Sequence, residues 1–162
     1  ARHVEVQIAG DGAGHVVHLF ERDCTLQRRH QKVIEEAPAW GLPRTLLDQI
    51  ATDAVKLGES LNYRGLGTVE FLVAGDNYFF LEVNPRIQVE HPVTEAITGL
   101  DLVAMHLRIA QGAGLGITQG DITPPITLRL QPARSPPYRC PRASASTAVS
   151  KPATRLARFT IR

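Results

Sequence analysis

The 162-residue sequence predicts an α+β domain, in which an antiparallel sheet carries flanking helices. Residues 2–9 and 15–22 alternate apolar and polar side chains on either side of a glycine-rich turn, which predicts a β-hairpin. Residues 66–74 and 77–84 flank a Gly-Asp pair and predict a second hairpin. Between the hairpins, apolar residues recur at helical spacing after Pro43, and this mixture of patterns indicates the fold class.

The first hairpin and the long helix follow from local patterns. In residues 2–9, branched aliphatic side chains alternate with polar ones, which is typical of a strand with one face in the core and one in water. A polar and basic stretch, 23–32, separates this hairpin from a short strand signal at 33–34. The helix ends near Asn62 and Gly65. Its predicted core face consists of Leu46, Leu47, Ile50, Ala54, Leu57 and Leu61.

Two short helices are predicted beyond the second hairpin, at residues 93–98 and 102–111. Gly99 separates them. Asp101 is the expected N-cap of the second helix, and Gly112 is its expected stop signal.

The charge of the chain changes sign near residue 116. Residues 1–116 hold ten Lys and Arg against 15 Asp and Glu, or −5, whereas residues 117–162 hold eight against one, or +7. The second segment also contains seven of the 11 prolines. We therefore predict a folded body, 1–116, and a basic, proline-rich tail, 117–162, that is disordered or arises from a shifted reading frame.

The sequence also bears on cellular location. No stretch approaches the ~20 apolar residues of a membrane span, and the first residues do not have the pattern of a signal peptide. Cys24 and Cys140 lie far apart without metal-binding or redox spacing, so a reducing, cytoplasmic location is expected. Because Ala1 leads directly into a strand pattern, we expect the chain to be a piece of a longer protein.

The second hairpin brings two acidic residues face to face. With a three-residue turn at 75–77, Glu70 would pair directly with Glu82, and like charges at that spacing destabilise a sheet. A divalent cation between the carboxylates would explain the pair, and oxygen-only ligands suit Mg²⁺. A register shift of one residue would instead place the two side chains on opposite faces. The pairing alone leaves both interpretations open.

The segment that follows alternates polar residues with apolar residues or proline. If the chain stays extended, its polar side chains all lie on one side. Pro85 cannot donate to a ladder, so we expect the chain to leave the sheet there and line a site. The row could hold a metal at one end and a small planar anion at the other. The Arg86 guanidinium would then donate two parallel hydrogen bonds to the anion. Its members are Glu82, Asn84, Arg86, Gln88 and Glu90.

The basic segment 27–32 is ambiguous by itself. Such a run is more often a solvated face or a salt-bridged turn than a ligand site. A nucleic-acid surface is a further alternative, although no aromatic residue is interleaved to stack a base. His15, His18 and His106 lack the spacing of a zinc-binding helix, so we interpret them as ordinary surface or half-buried histidines.

A family resemblance rests on four motifs, RHVEVQI, HLFERDCTLQRRHQKVIEEAPA, NYRGLGTVEFLV and FLEVNPRIQVEHPVTE. They are similar to the biotin carboxylase component of biotin-dependent carboxylases, in the ATP-grasp superfamily. The similarity runs from Arg2 to about Gly112, and EEAP and EHPVTE resemble the acetyl-CoA and propionyl-CoA carboxylase type more than pyruvate carboxylase. The resemblance implies an ATP-grasp-like antiparallel sheet with flanking helices, incomplete because the family's glycine-rich lid precedes Ala1.

The resemblance implies ATP- and bicarbonate-dependent carboxylation of carrier-bound biotin through carboxyphosphate. ATP, Mg²⁺ or Mn²⁺, and biotin are the implied cofactors and substrates. A biotin carboxyl carrier domain, a carboxyltransferase component and further copies of the chain are the implied partners. Without the lid, the piece by itself is expected to be inactive.

The same resemblance implies a role for each matching residue. The ATP-binding residues would be His3, Gln27, His30, Glu70 and Glu82. The metal ligands would be Glu70, Glu82 and Asn84. Bicarbonate would be positioned by Lys32, Arg86, Gln88 and the backbone of Val89. Glu90 would be the catalytic base, acting beside Lys32 and Arg86.

Two other functions remain open at this point. One is another ATP-grasp ligase resembling carbamoyl-phosphate synthetase, against which the series RIQVEHPVTE argues. The other is a non-catalytic nucleic-acid-binding protein that acts through the basic tail. The family's arginine that stabilises the biotin enolate is not assigned, because neither Arg129 nor Arg134 lies in the expected context.

Overall fold

The computed structural model describes residues 1–29, 31–123 and the two-residue strand Phe159–Thr160. Its strands are β1 (Arg2–Asp11), β2 (Val16–Arg28), β3 (Gln31–Glu36), β4 (Arg64–Ala74), β5 (Asn77–Asn84) and β6 (Phe159–Thr160). Its helices are α1 (Arg44–Ser60), α2 (His91–Thr98) and α3 (Leu102–Ala110), followed by a 3₁₀ turn at Gln119–Asp121. The strands form one antiparallel sheet in the order β5-β4-β1-β2-β3-β6. The predicted α+β class and both predicted hairpins are confirmed.

Helices cover both faces of this sheet. On one face, α1 packs against β1 and β2 around Val6, Ile50 and Val69. On the other face, α2 contacts β2 and α3 contacts β4, around Leu19 and Met105. The strand β1 lies at the centre of the sheet, between β2 and β4. Because helices also cover both faces, residues 4–10 of β1 are buried.

That burial corrects the prediction of a half-buried first strand. The polar residues Glu5 and Gln7 on β1 are fully buried, as is Arg22 on β2. Alternation predicts which residues share a face, but it does not say whether water or protein covers that face. The buried polar residues satisfy one another, and the next subsection describes how.

The basic stretch 23–32 is mostly strand, which differs from the prediction. The strand β2 continues to Arg28 and pairs with β3, with Gln27 opposite Lys32. Cross-strand hydrogen bonds hold these polar residues in the sheet where the apolar pattern gives no strand signal. The helix predictions are confirmed apart from their ends, and the Asp101 carboxylate caps α3 by accepting from the Ala104 backbone N–H at 2.8 Å.

The packed body continues beyond residue 116. Ile117 and Ile122 pack against the core face that contains α3, and Ile122 is buried. The remaining tail, apart from Phe159–Thr160, lies outside the described residues, as do Cys140, Arg129 and Arg134. The predicted disorder or frame shift of the tail stays a prediction. No helix in the described part of the chain is long and apolar enough to cross a membrane.

Candidate functional site

The buried polar face of the sheet carries a cluster of charged side chains. Strand β1 fixes its centre, because Glu5 pairs with Arg22 of β2 on one side and with Glu70 of β4 on the other. Directly paired residues share a face of an antiparallel sheet. Lys32 from β3 and Glu90, which precedes α2, complete the cluster.

Lys32 joins three carboxylates. Its Nζ lies 2.6 Å from Oε2 of Glu5, 3.1 Å from Oε1 of Glu70 and 2.7 Å from Oε1 of Glu90. Burial alone would lower the pKa of Lys32, but the Glu5 carboxylate and its neighbours outweigh that effect and raise the pKa above its ordinary value. The ammonium therefore stays charged, and it neutralises part of a cluster in which the acids outnumber it.

Glu70 is the most heavily bonded acid of the cluster. Besides Lys32, its Oε2 accepts from Nε2 of His3 at 2.6 Å, and Nε2 of Gln27 donates to Nδ1 of the same histidine at 2.6 Å. Burial favours the protonated acid, but the hydrogen bond from His3 and the charge of Lys32 together lower the pKa of Glu70 to about 2. Glu70 is thus an ionised carboxylate at neutral pH.

Glu90 is buried and bonded to the same lysine. Burial raises the pKa of Glu90, but the hydrogen bond from Lys32 and its charge outweigh burial, so the pKa lies below its ordinary value. The residue stands immediately before α2. It is therefore an ionised proton acceptor at neutral pH, held at a helix N-terminus.

The predicted pairing of Glu70 with Glu82 is confirmed, but the turn that produces it differs from the predicted one. The strands are joined by two residues, 75–76, rather than three. Counting back from that turn would pair Glu70 with Leu81. A β-bulge leaves Leu81 unpaired and shifts the register by one residue, so that Glu70 faces Glu82.

The predicted polar row is extended only over its first two members. The strand β5 ends at Asn84, where Pro85 follows, and the backbone N–H of Arg86 turns back to donate to Asn84 O at 2.8 Å. Proline removes the next ladder donor, as predicted. Beyond it, Gln88 and Glu90 are buried, whereas the side chains of Arg86 and Val89 are exposed.

This bend corrects the straight row and changes what each member contacts. Gln88 Nε2 donates to Oε1 of Glu70 at 3.3 Å, which brings it to the cluster. Arg86 is bonded through Nη1 to the Ile87 carbonyl at 3.3 Å, within its own loop. The guanidinium thus lies outside the cluster in this structure, at its exposed side.

A divalent cation fits the residues at the β4–β5 pair. Asn84 Nδ2 lies 3.0 Å from Oε1 of Glu70 and 3.3 Å from Oε1 of Glu82. Two carboxylates and one side-chain amide thus converge, and rotation of the amide would add its oxygen to the set. Hard oxygen donors are those that Mg²⁺ and Mn²⁺ take. The chemistry of this donor set is therefore suitable for the predicted metal.

A second acidic group, Glu5, Cys24 and Glu90, also brings its potential ligand atoms within 4.8 Å of one another. The Lys32 ammonium contacts both carboxylates of this group, so a cation already neutralises them. Burial and the Glu5 carboxylate raise the pKa of the Cys24 thiol far above its ordinary value. This group is therefore held together by ion pairs, and none of its members belongs to the predicted metal ligands.

Sequence reasoning missed the partners of the predicted site residues. Glu5, Arg22 and Thr94 are all fully buried and bonded to the cluster. The predicted hairpin does not reveal this pairing, because a turn at 10–14 places Glu5 opposite Leu19. The observed pairing of Glu5 with Arg22 depends on an irregularity between Val6 and Ile8. Of the predicted site residues, His30 lies outside the described residues.

Comparisons with known proteins identify the family of the chain. A family model described as carbamoyl-phosphate synthase L chain, ATP binding domain, matches residues 1–118. The chain is 60% identical over 126 residues to a pyruvate carboxylase of Aspergillus niger, and this match covers 75% of the chain and 11% of that protein. It is 58% identical over 122 residues to a biotin carboxylase of Halalkalibacterium halodurans, which covers 75% of the chain and 27% of that protein. Biotin carboxylase 2 of Bacillus subtilis is 57% identical over 123 residues, and the match covers 75% of the chain and 28% of the relative.

The chain thus spans between about a tenth and about a quarter of the length of these relatives. Pyruvate carboxylase and biotin carboxylase relatives differ little in their identity to the chain. The predicted acyl-CoA carboxylase type therefore stays a prediction.

Proposed function

The chain belongs to the family of carbamoyl-phosphate synthase L chain ATP binding domains, and on that premise we propose that it supplies the bicarbonate site and the metal ligands of a biotin carboxylase. The proposed reaction consumes ATP and bicarbonate and carboxylates a ureido nitrogen of biotin held on a carrier domain. A carboxyltransferase component would take the carboxyl group onward, in the cytoplasm.

The observation that carries the proposal is the convergence of two hydrogen-bond donors and one acceptor from separate elements. Lys32 Nζ and Gln88 Nε2 both donate to Oε1 of Glu70, and Lys32 also donates to Glu90. A small planar anion needs donors of this kind, and its deprotonation needs a base beside them. Exposed Arg86 borders the same loop and would close on the anion as a fork.

Glu90 is the proposed base. When a bicarbonate oxygen attacks the γ-phosphorus of ATP, a new O–P bond forms, the P–O bond to ADP breaks, and Glu90 accepts the bicarbonate proton. Its lowered pKa keeps it ionised at neutral pH and therefore able to accept. Lys32 and Arg86 hold the anion, and such positioning supplies much of the catalysis in phosphoryl transfer.

Glu70, Glu82 and Asn84 are the proposed metal ligands, and His3 and Gln27 extend this end of the site toward the nucleotide. A bound Mg²⁺ or Mn²⁺ supplies positive charge that offsets the charge of the phosphates. On the protein side, His3 and Lys32 keep Glu70 ionised so that it can act as a ligand.

A chimaera tests the proposed function. Residues 1–118 replace the matching segment of the Halalkalibacterium halodurans biotin carboxylase, and bicarbonate-dependent release of ADP is measured with free biotin. The chimaera is expected to be active. Glu90→Gln should lower its turnover by about 10²–10⁴-fold while leaving the KM for ATP nearly unchanged.

The control is Glu59→Gln, which changes an exposed acid on α1 and should leave turnover unchanged. A stable Glu90→Gln chimaera with normal turnover would remove Glu90 from the mechanism. If thermal stability falls and every kinetic constant worsens in parallel, Glu90 is instead a structural partner of Lys32. An inactive chimaera that still folds would contradict the proposed function itself.

A further inference from the structure

Arg22 is a fully buried arginine to which the proposed reaction assigns no role. Its guanidinium donates four hydrogen bonds, and their acceptors come from β1, from the loop after β5 and from α2. The distances are 2.7 Å from Nε to Glu5 Oε1, 2.9 Å from Nη1 to Gln7 Oε1, 2.7 Å from Nη1 to Thr94 Oγ1 and 3.1 Å from Nη2 to Gln88 Oε1. One side chain thus joins three separate parts of the site.

Stability alone does not explain this arrangement. Only one of the four acceptors, Glu5, is a charged group. Taking a guanidinium out of water is costly, and buried ion pairs are often no more stabilising than apolar residues of the same volume. The planar fork does, however, fix the positions of its acceptors more narrowly than an ammonium or an apolar side chain would. Positional control is therefore what Arg22 adds.

The contact with Gln88 determines which end of its amide faces the site. Because Oε1 accepts from Arg22, Nε2 is directed to Oε1 of Glu70, at 3.3 Å. A flipped amide would place Nε2 against the guanidinium, donor against donor. Arg22 thus makes Gln88 a hydrogen-bond donor toward the cluster.

The contact with Glu5 acts on the lysine in the same way. Oε1 of Glu5 accepts from Arg22 at 2.7 Å, which leaves Oε2 for Lys32 Nζ at 2.6 Å. The bond to Thr94 fastens α2, the helix that directly follows Glu90, to the same guanidinium. Two donors of the proposed anion site, Lys32 and Gln88, and the segment that carries its acceptor, Glu90, are therefore held through one arginine.

We propose that Arg22 is the positioning residue of the bicarbonate site, which orients the Gln88 amide and the Lys32 ammonium toward the anion. The proposal rests on the proposed function. Among the described residues, Arg22 itself bonds to none of the proposed nucleotide-binding residues or metal ligands. Weakening the hydrogen bonds of Arg22 should therefore raise the KM for bicarbonate and leave the KM for ATP unchanged.

Thr94→Val is the first test, because it removes one acceptor of Arg22, keeps the shape of the side chain and leaves every proposed ligand in place. In the chimaera, it should raise the KM for bicarbonate by about threefold to tenfold with the KM for ATP unchanged. Its matched control is Thr98→Val, one turn along α2, where the hydroxyl donates to the Thr94 carbonyl at 2.7 Å and does not contact Arg22. The control should leave both KM values unchanged.

Arg22→Lys is the second test. It keeps the charge but cannot reach all four acceptors, so the KM for bicarbonate should rise by about 10–100-fold, as for other residues that orient a ligand's partners. Normal bicarbonate KM values in folded Thr94→Val and Arg22→Lys chimaeras, or equal increases in both KM values, would overturn the proposal.

A measurement that needs no turnover separates this proposal from the proposed function. The side-chain amide protons of Gln88 in the ¹⁵N-labelled 162-residue chain should exchange slowly with water, and Thr94→Val should speed that exchange while Thr98→Val does not. An inactive chimaera with this exchange pattern would refute the bicarbonate chemistry but leave Arg22 as the residue that orients Gln88. An active chimaera in which Thr94→Val changes neither exchange nor the KM for bicarbonate would refute only the role of Arg22.

Discussion

The two glutamates that face each other across β4 and β5 should respond oppositely to neutralisation. Glu70 is buried and accepts from His3 and Lys32, whereas Glu82 is exposed and contacts only Asn84 among the described residues. Glu70→Gln removes a charge that two partners stabilise. Glu82→Gln removes a charge that lies opposite another acid, Glu70, across the two strands. We therefore expect the first variant to be destabilised and the second to be unchanged or slightly more stable.

The magnitude follows from the pKa of Glu70. A lowering from 4.5 to about 2 corresponds to about 3 kcal/mol, of which we expect about 2 kcal/mol to remain after solvent screening. For a chain of this size, that loss lowers Tm by about 4–8 °C. Because the folded-state pKa lies below the unfolded value, this stability is present above pH 4.5 and is lost as the pH falls toward 2.

The assay is thermal unfolding of the wild type and both variants, followed by circular dichroism at pH 7 and near pH 2. The loss of stability in Glu70→Gln should be present at pH 7 and largely absent near pH 2. The stability of Glu82→Gln should stay within about 0.5 kcal/mol of the wild type at both pH values. A Glu70→Gln chain as stable as the wild type at pH 7 would refute the reasoning. So would an equal deficit at both pH values, because that would show a loss of packing rather than of charge.

Two further predictions concern buried groups other than the proposed metal ligands. Burial and the neighbouring Glu5 raise the pKa of Cys24, so in a Cys140→Ser chain the remaining thiol should react with a disulfide reagent only as fast as the protein unfolds; rapid labelling of the folded chain would contradict this. Glu35 is buried, and its Oε2 has no hydrogen-bond partner among the described residues. Burial together with Glu90 raises its pKa, so the stability of the fold falls as the pH rises above 4.5. Glu35→Gln should therefore raise Tm at pH 8 but not at pH 4, measured against Glu59→Gln, and a gain at neither pH would show that the buried charge has no cost.

The sequence predicts the pairing of two candidate ligands better than it predicts the residues that support them. Glu70 and Glu82 could be paired in advance because a hairpin constrains its own register, even though an unforeseen bulge at Leu81 offset an error in the turn. The sequence does not distinguish Arg22 and Glu5 from surface residues. Polar and apolar residues alternate in the same way whether the polar face lies in water or under a helix. What covers β1 depends on α2 and α3, and their docking is a long-range property.

The position of Arg86 shows a second limit of the same kind. A proline predicts where a strand ends, and β5 does end before Pro85. It does not predict the direction of the chain afterwards, which depends on the turn at Arg86 and on the burial of Gln88. The composition of the row therefore supports a hypothesis about its chemistry, whereas its geometry required the structure.

The central place of β1 has a consequence for the order in which the protein folds. The β1–β2 and β4–β5 pairs are hairpins between neighbouring segments, so each closes only a short loop. The β1–β4 pair, which joins Arg2 with Val73 at one end, must close a connection that contains β2, β3 and α1, and such closure is slow. Glu5 arrives on one hairpin and Glu70 on the other, so the lysine-bridged acids meet only when the two hairpins dock. A ligand of this cluster can bind only after the two hairpins have docked. We therefore expect it to slow unfolding without accelerating folding.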